Sequence, residues 1–407
     1  MGNRLLPAAA AFLLAFATGS VPAAPDEEKL GKSEAYPICP LSSIAPPHES
    51  CLVGMLSHFD TLVPARRVAK GPAVTEFKRP AQPLKIQYKY QDRSGDTDSY
   101  LDHTRNTGLL VLKGDTLVVE RYQYDRKPEH RMQSYSMAKT VVAMLVGIAI
   151  AEKKIGSVED RADLYLPALK GHPYGETKLK DLLTMSSGVK FSENYDGKDD
   201  VSVLARKTIY GHGIGGVDSV LSFTERANPP GTKFYYASGE TQVLGLVLRA
   251  AVGHTLSEYL SEKIWKPMGA EADASWLVDG GGYELGYMGL NATLRDWGRL
   301  GMLLANYGYL NGKQIIPAEW VKAATAVHAP HLAVGTATKF NGYGYQTWLV
   351  DNEGKFALLG VRGQAVFVDP KSKVVVVITA VHSNPRDAAR GEQFGYFYGA
   401  VRSLADQ

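Results

Sequence analysis

The chain has 407 residues, 45% hydrophobic and 21% charged, which is the balance of an ordinary globular protein with one large domain or two modest ones. Lys and Arg number 45 against 42 Asp and Glu, and the basic residues are scattered along the chain. Composition and charge therefore give no reason to expect a nucleic-acid partner or attraction to an anionic membrane.

The N-terminal residues 1–23 have the pattern of a secretory signal peptide. Arg4 precedes an apolar stretch over residues 5–17, and small residues end at Ala23. This stretch is shorter than the ~20 residues of a transmembrane helix. We therefore expect cleavage after Ala23 and a periplasmic or secreted protein with no membrane span, the alternative being an uncleaved anchor. In an oxidising compartment, Cys39 and Cys51 are expected to form a disulfide.

The composition of the rest of the chain changes along its length. Residues 24–85 are rich in Pro, Ala and charge and predict an irregular N-terminal extension. Residues 86–407 read as one domain: "GLLVLKGDTLVVERYQY" predicts a β-hairpin over 108–124, a helical block covers about 157–285, and "GQAVFVDP" and "KVVVVITAV" are strand-like. We expect an α+β fold in which one antiparallel sheet is built from both chain ends and flanked by helices, with a mostly helical lobe.

Directly after the hairpin, "YSMAKTVVAMLVGIAIAEKK" places Ser136 and Lys139 at the start of a predicted helix. Residues 141–151 are apolar on every side, which is typical of a buried helix. Ser136 and Lys139 project from the same side of its first turn, where the helix dipole is positive. The amide of Ser136 could stabilise an oxyanion, while a desolvated Lys139 could help to accept the serine proton.

The Ser-x-x-Lys spacing is weak evidence by itself. A second match, Ser187 to Lys190, contains Gly188 and is better interpreted as the end of a helix. For Ser136 the alternative is a helix N-cap with Lys139 extending to solvent. No Gly-x-Ser-x-Gly motif occurs, and His328 and His331 lack the context of zinc ligands, so no metal site is expected.

The order of further motifs resembles the serine β-lactamase-related family, which contains class C β-lactamases, family VIII esterases, penicillin-binding-protein-like peptidases and 6-aminohexanoate-dimer hydrolases. The resemblance covers about residues 105–385. The segments that carry it are "SMAK", "LLTMSSG", "FYYASGETQVLG", "WKPMGA", "GLNATLRDWGRLGMLL", "NGKQIIPAEW" and "GQAVFVDP".

This resemblance implies a β-lactamase/transpeptidase-like fold and a catalytic set without metal or organic cofactor. Ser136 would be the nucleophile, Lys139 its partner and Tyr236 the general base and acid. A tyrosine of pKa about 10 is a poor base at neutral pH, but a nearby lysine cation favours the phenolate. Water would then hydrolyse an acyl-enzyme.

Two positions point to the 6-aminohexanoate-dimer hydrolase branch. Ser238 stands where the wider family usually has Asn, a replacement that recurs in that branch, and we expect it to help bind substrate. Tyr195 in "ENYD" is similar to a tyrosine that contacts the scissile amide there, although a plain loop aromatic is an equal alternative. Asp196, Asp199 and Asp200 could attract a substrate ammonium or could simply form a solvated loop.

One family motif is missing near the last strands. The Lys-Thr-Gly or His-x-Gly sequence is not evident, and either Lys355-Phe356-Ala357 or residues 360–363 take its place. The second oxyanion donor is therefore expected to be an unassigned backbone amide between Leu358 and Gly363, and hydrolysis of β-lactams is doubtful.

The sequence thus predicts an exported serine hydrolase that cleaves amide or ester bonds of small linear substrates, closest to the 6-aminohexanoate-dimer hydrolases. The alternatives are a family VIII carboxylesterase and a catalytically silent penicillin-binding-like module that binds cell-wall peptide. The natural substrate and the oligomeric state are not predicted.

Overall fold

The computed structural model describes residues 24–42, 47–210 and 214–405. The predicted signal peptide, residues 1–23, lies outside these ranges. Within them, each helix is too short or too polar to cross a lipid bilayer.

Regular structure covers the described residues as follows. In chain order, the strands are β1 (Ala65–Val68), β2 (Gln87–Tyr90), β3 (Arg93–Asp96), β4 (Asn106–Lys113), β5 (Thr116–Tyr122), β6 (Arg131–Gln133), β7 (Ala274–Leu277), β8 (Leu290–Thr293), β9 (Tyr309–Leu310), β10 (Lys313–Gln314), β11 (Gly342–Tyr343), β12 (Trp348–Leu349), β13 (Phe356–Gly360), β14 (Gln364–Asp369) and β15 (Val374–Ala380). The α-helices are α1 (Leu52–Ser57), α2 (Phe59–Leu62), α3 (Thr97–Leu101), α4 (Met137–Ala151), α5 (Leu179–Leu183), α6 (Asp200–Ala205), α7 (Ser238–Val252), α8 (Leu256–Leu260), α9 (Leu294–Ala305), α10 (Ala318–Ala324) and α11 (Arg390–Ser403).

The larger sheet has seven strands in the order β11-β12-β13-β14-β15-β4-β5, and every neighbouring pair is antiparallel. The predicted hairpin forms β4 and β5, with Gly114 in the left-handed region at its turn. β4 pairs with β15 from the far end of the chain. The prediction of an antiparallel sheet built from both chain ends is therefore confirmed.

The two faces of this sheet are both covered, as the nearly continuous apolar runs of its central strands require, since successive side chains point to opposite faces. Leu110 and Leu112 of β4 point into the core on the side of α9, where Gly301 allows that helix to approach Val375 closely. Leu109 and Val111 point the other way, into the core under α11. On that side, Phe397 stacks on Phe367 with ring centroids 5.2 Å apart. Helices on both faces leave the central strands buried.

A second sheet, in the order β1-β7-β8-β6, was not predicted. Its first strand comes from residues 24–85, so this segment is more regular than its composition suggests. The reason is the apolar run over residues 52–56, which forms α1 and packs into the main core. Cys39 and Cys51 are joined by a disulfide with Cα atoms 5.6 Å apart, which ties the preceding chain to α1.

Helix α4 lies at the centre of the molecule and is buried from Met137 to Ala149. It packs against α7 and α10, and Trp320 of α10 lies so close to Gly147 that any side chain there would collide with the indole. Helices α5 to α8 form the helical block on the α7 side. The first turn of α4 therefore opens where β6, the end of β13 and the helical block meet.

Candidate active site

Ser136 stands immediately before the first residue of α4. The preceding Tyr135 has φ of 46°, in the left-handed region, and this turn presents the serine at the helix N-terminus. The Ser136 side chain does not cap the helix. Ser136 occupies the N-cap position, but because its side chain makes no capping hydrogen bond, the hydroxyl is available for another role.

The strand β13 ends beside this turn. A side chain at Gly360 would put its Cβ 2.3 Å from the carbonyl oxygen of Ser134, so only glycine permits this approach. The backbone that follows Gly360 thereby comes next to Ser136. Both are walls of a cavity of about 430 Å³, named here the catalytic cavity, whose other walls include Tyr195, Tyr236 and Trp348.

Lys139 is buried beneath the serine, with only 1% of its surface exposed. Its ammonium donates to Ser136 Oγ at 3.3 Å, to Ser238 Oγ at 2.9 Å and to the main-chain oxygen of Tyr287 at 2.8 Å. Burial lowers the pKa of Lys139 to about 8, although the nearby Glu193 carboxylate favours the charged form. The alternative of a lysine that extends to solvent is wrong, and this amine can lose its proton near neutral pH.

Tyr236 reaches the same point from the segment before α7. Its ring centroid lies 5.3 Å from Lys139 Nζ, and its hydroxyl is near enough to Ser136 for that side chain to favour the phenolate. The ring stacks on Trp348 with centroids 5.2 Å apart, which fixes its orientation.

The protonation of Tyr236 differs from the sequence argument. Burial, and then the negative charge of Glu193, raise the pKa of the Tyr236 phenol well above its usual value, and this outweighs the opposing effects of Ser136 and of the Arg386 charge. The resting tyrosine is therefore a neutral phenol. A phenolate stabilised by the lysine cation is not the resting state, because the lysine itself is the group with the depressed pKa.

Ser238 does not occupy the position expected of a substrate-binding residue. It is 1% exposed and does not line the catalytic cavity. Its hydroxyl accepts from Lys139 and donates to Glu193 Oε1 at 3.0 Å, and its backbone N–H donates to Glu193 Oε2 at 2.7 Å. The geometry thus favours a positioning role, in which Ser238 joins the amine to a buried carboxylate.

Glu193 is the residue that sequence reasoning missed. It is buried, and besides Ser238 it accepts a hydrogen bond from the Tyr195 hydroxyl at 2.6 Å. Tyr195 lines the catalytic cavity, and the guanidinium of Arg386 lies 5.2 Å from its ring centroid. The available signal was its place two residues before Tyr195 in "ENYD", but a single Glu in a polar loop gives no indication of burial.

The acidic residues after Tyr195 hold this loop together. Asp199 accepts from the backbone N–H groups of Asn194 and Tyr195, both at 2.6 Å, and Asp200 accepts from Ser192 N–H at 2.7 Å. Their carboxylates are thus used to shape the loop that presents Glu193 and Tyr195, which disfavours the alternative that they attract a substrate ammonium.

Two stretches could take the place of the missing family motif, and only the one at residues 360–363 lines the site. Lys355 lies away from the catalytic cavity, with its ammonium paired to Asp351 at 3.0 Å and to Glu353 at 2.6 Å. Gly360, Val361 and Gly363 line the cavity instead. The N–H of Arg362 donates to the Pro385 oxygen at 3.1 Å and is not available to a substrate.

The chain is similar to known proteins along most of its length. A curated relative, the 6-aminohexanoate-dimer hydrolase of Paenarthrobacter ureafaciens, is 26% identical over 353 residues, which cover 84% of this chain and 89% of the relative. A solved structure from Bacillus anthracis, described provisionally as a 6-aminohexanoate-dimer hydrolase, is 26% identical with a TM-score of 0.79 and covers 90% of this chain and 97% of its own.

A family VIII carboxylesterase structure shares the fold, with a TM-score of 0.56 at 17% identity, over 74% of this chain and 93% of its own. The β-lactamase/transpeptidase-like fold predicted from the sequence is confirmed. The family model described as beta-lactamase matches residues 98–395. This match includes Ser136, Lys139 and Tyr236, and the chain therefore belongs to the beta-lactamase family and is a hydrolase of that family.

Proposed function

We propose that the protein hydrolyses amide bonds of small linear molecules through an acyl-enzyme on Ser136. The observation that carries the proposal is that Ser136 and Tyr236 line one cavity open to small molecules beside the same amine: the Ser136 hydroxyl accepts from Lys139 Nζ at 3.3 Å, and the Tyr236 ring centroid lies 5.3 Å from it. The name of the Paenarthrobacter relative supports a linear amide as the substrate class.

Acylation begins when Ser136 Oγ attacks the carbonyl carbon of the substrate. The proton of the hydroxyl passes to neutral Lys139, directly or through the phenol of Tyr236, because the amine can be unprotonated near pH 8 whereas the phenol still holds its own proton. The carbonyl oxygen gains the negative charge. The backbone N–H of Ser136 has no intrahelical acceptor at the N-terminus of α4 and can donate to this oxyanion.

We propose the N–H of Val361 as the second oxyanion donor. Gly360 is the last residue of β13 paired with β14, so Val361 is the first residue beyond the ladder, and it lines the catalytic cavity with Ser136. Two backbone amides from different elements would then face one oxygen, the arrangement that stabilises a tetrahedral intermediate.

Collapse of the intermediate breaks the bond from carbon to nitrogen. Tyr236 donates its proton to the departing amine and is reprotonated from Lys139. The acyl group then remains on Ser136 as an ester, the acyl-enzyme. A water molecule then attacks this ester while the Tyr236–Lys139 pair accepts its proton. The proton returns to Ser136 as the carboxylic acid leaves, so that no group is consumed in a cycle.

A matched substrate panel tests this proposal. Purified protein is assayed with linear amides, short-chain esters, D-peptides and a chromogenic cephalosporin. Turnover of linear amides is expected, with faster turnover of the matching esters because their leaving groups need less protonation. Hydrolysis of esters alone would favour a carboxylesterase. Absence of turnover with every substrate would contradict the proposal and favour a cell-wall peptide binder.

We also propose that the protein is exported. The support is Arg4 followed by an apolar stretch and small residues up to Ala23, together with the Cys39–Cys51 disulfide, a bond that persists in oxidising compartments. Fractionation of producing cells, with N-terminal sequencing of the mature protein, tests this proposal. A start at Ala24 outside the cytoplasm is expected, and an intact N-terminus in the cytoplasm would contradict it.

A further inference from the structure

A second cavity of about 450 Å³, named here the apolar cavity, adjoins the catalytic cavity. The two share Tyr195, Val361 and Pro385 as walls. Its far side is made by the disulfide-linked segment and α1, with Leu41 and Met55, and by α6 and the π-helical turn after it, with Ala205 and Ile209. The N-terminal extension therefore contributes directly to the surroundings of the reaction site.

The lining of the apolar cavity has a distinct chemistry. Among the described residues that form it, aliphatic and aromatic side chains predominate and none is Asp or Glu. Arg362 is its one charged residue within that set, and its guanidinium donates to the main-chain oxygens of His382 and Ser383 at 2.9 and 2.6 Å. An ammonium group that entered would meet no carboxylate and one like charge among the described lining residues, which makes its burial costly.

The direction of the substrate follows from Tyr236. Because Tyr236 protonates the leaving group in the proposed mechanism, the leaving group must extend toward Tyr236 and Trp348, which line the catalytic cavity and not the apolar one. The acyl chain leaves the carbonyl carbon on the other side. Val361, the proposed oxyanion donor, lines both cavities, so a carbonyl bound there has its acyl side next to the apolar walls.

We propose that the apolar cavity is the acyl-chain site, and that it selects neutral aliphatic acyl groups over acyl groups that end in an ammonium. This inference rests on the proposed hydrolytic function. The volume is sufficient, since a cavity of about 150 Å³ accommodates benzene, and six to eight carbons fit in three times that space. Each methylene that enters should raise kcat/KM by up to about fourfold.

The test uses p-nitrophenyl esters that share one leaving group and carry acetyl, hexanoyl, octanoyl or 6-aminohexanoyl as the acyl group. With the wild-type protein, kcat/KM for hexanoyl should exceed that for acetyl by at least about tenfold. It should also exceed that for 6-aminohexanoyl, which has the same length, by at least about tenfold. Equal values across the series, or a preference for 6-aminohexanoyl, would overturn the inference while leaving the hydrolase intact.

Two variants of α6 locate the effect. Ala205→Phe fills the apolar cavity, and the ratio of kcat/KM for octanoyl to that for acetyl should fall at least about tenfold. Val203→Phe is the matched control, because Val203 lies on the same helix but does not line the cavity; its ratio should stay at the wild-type value. A fall of equal size in both variants would contradict the assignment.

A measurement on the wild-type protein does not depend on folding of a variant. Inactivation by methyl and octyl fluorophosphonates should be faster for the octyl compound, and 6-aminohexyl fluorophosphonate should be slower than hexyl. Inactivation by all four at one rate would contradict the inference, whereas failure of all four to label Ser136 would contradict the proposed function as well.

Discussion

Two segments of this chain carry a serine and a lysine three residues apart, and they lie in opposite environments. Ser136 and Lys139 begin a buried helix, and the lysine is 1% exposed. Ser187 and Lys190 lie in a loop after α5, where the lysine side chain is 62% exposed and pairs with Glu225 at 2.8 Å. The same spacing thus produces a depressed lysine pKa in one segment and a surface ion pair in the other.

The difference lies in what other parts of the chain bring to each segment. Lys139 is surrounded by Glu193, Tyr236 and the main-chain oxygen of Tyr287, and each comes from a separate segment of the chain. In the second segment Ser187 is buried, but its hydroxyl donates to Glu240 at 2.6 Å, a contact that secures a loop. The proposed catalysis therefore depends on several groups that meet around the buried Lys139 amine. The Ser-x-x-Lys spacing is only one of its conditions.

Replacing each serine in turn should produce the largest difference between the two segments. Ser136→Ala should lower turnover about 10⁶-fold, as loss of a catalytic nucleophile does, and should abolish fluorophosphonate labelling with little change in melting temperature. Ser187→Ala should keep labelling but lower the free energy of unfolding by about 1–3 kcal/mol, because Glu240 loses a buried donor. Labelling that persists in Ser136→Ala would show that the nucleophile lies elsewhere.

Removal of each lysine charge should have the next largest effect. Lys139→Met should lower kcat about 10⁴-fold, the upper range for a group that accepts and returns the proton. Lys190→Met removes an exposed ion pair, which contributes little to stability, and should leave kcat unchanged. Steady-state kinetics on an activated ester measure both. A similar loss of kcat in the two variants would show that the burial of Lys139 does not contribute to catalysis.

The contribution of a distant element is tested at Tyr236. Tyr236→Phe should lower kcat for an amide about 10³-fold, and less for an ester with a good leaving group, because the phenol delivers the proton to the departing amine. Tyr235→Phe is the matched control, since Tyr235 is the exposed neighbour with 46% of its surface accessible. If Tyr236→Phe turned over amides at the wild-type rate, the phenol would have no part in the mechanism.

The comparison also explains how far sequence alone reaches. Ser136, Lys139 and Tyr236 could be singled out because each lies in a recognisable local motif, and the large sheet could be predicted because its central strands are long apolar runs. Glu193 could not, since its burial depends on a loop closed by Asp199 and Asp200. The second sheet was missed because its strands have four residues or fewer and pair segments far apart in the chain.

Acid–base behaviour gives the finest distinction within the site. Because burial lowers the pKa of Lys139 to about 8 while the pKa of Tyr236 is raised, the pair must lose one proton before it can accept that of Ser136. The value of kcat/KM should therefore rise as pH increases through about 8 and then level off. This apparent pKa belongs to the pair, because the proton is shared between amine and phenol. A pH-independent rate between 6 and 9 would contradict this assignment.

The smallest predicted effect is a shift of that midpoint in Glu193→Gln. The Glu193 carboxylate favours the charged form of Lys139, so its removal should lower the pKa of the amine and move the rise in kcat/KM to lower pH. Glu240→Gln is the matched control, because burial raises the pKa of the Glu240 carboxyl well above its usual value and so disfavours its charged form. A merely structural role for Glu193 would reduce the rate at every pH without moving the midpoint. A shift of the midpoint in Glu193→Gln alone would therefore identify the Glu193 charge as one cause of the difference between Ser136–Lys139 and Ser187–Lys190. This charge lies on a loop outside the Ser-x-x-Lys motif.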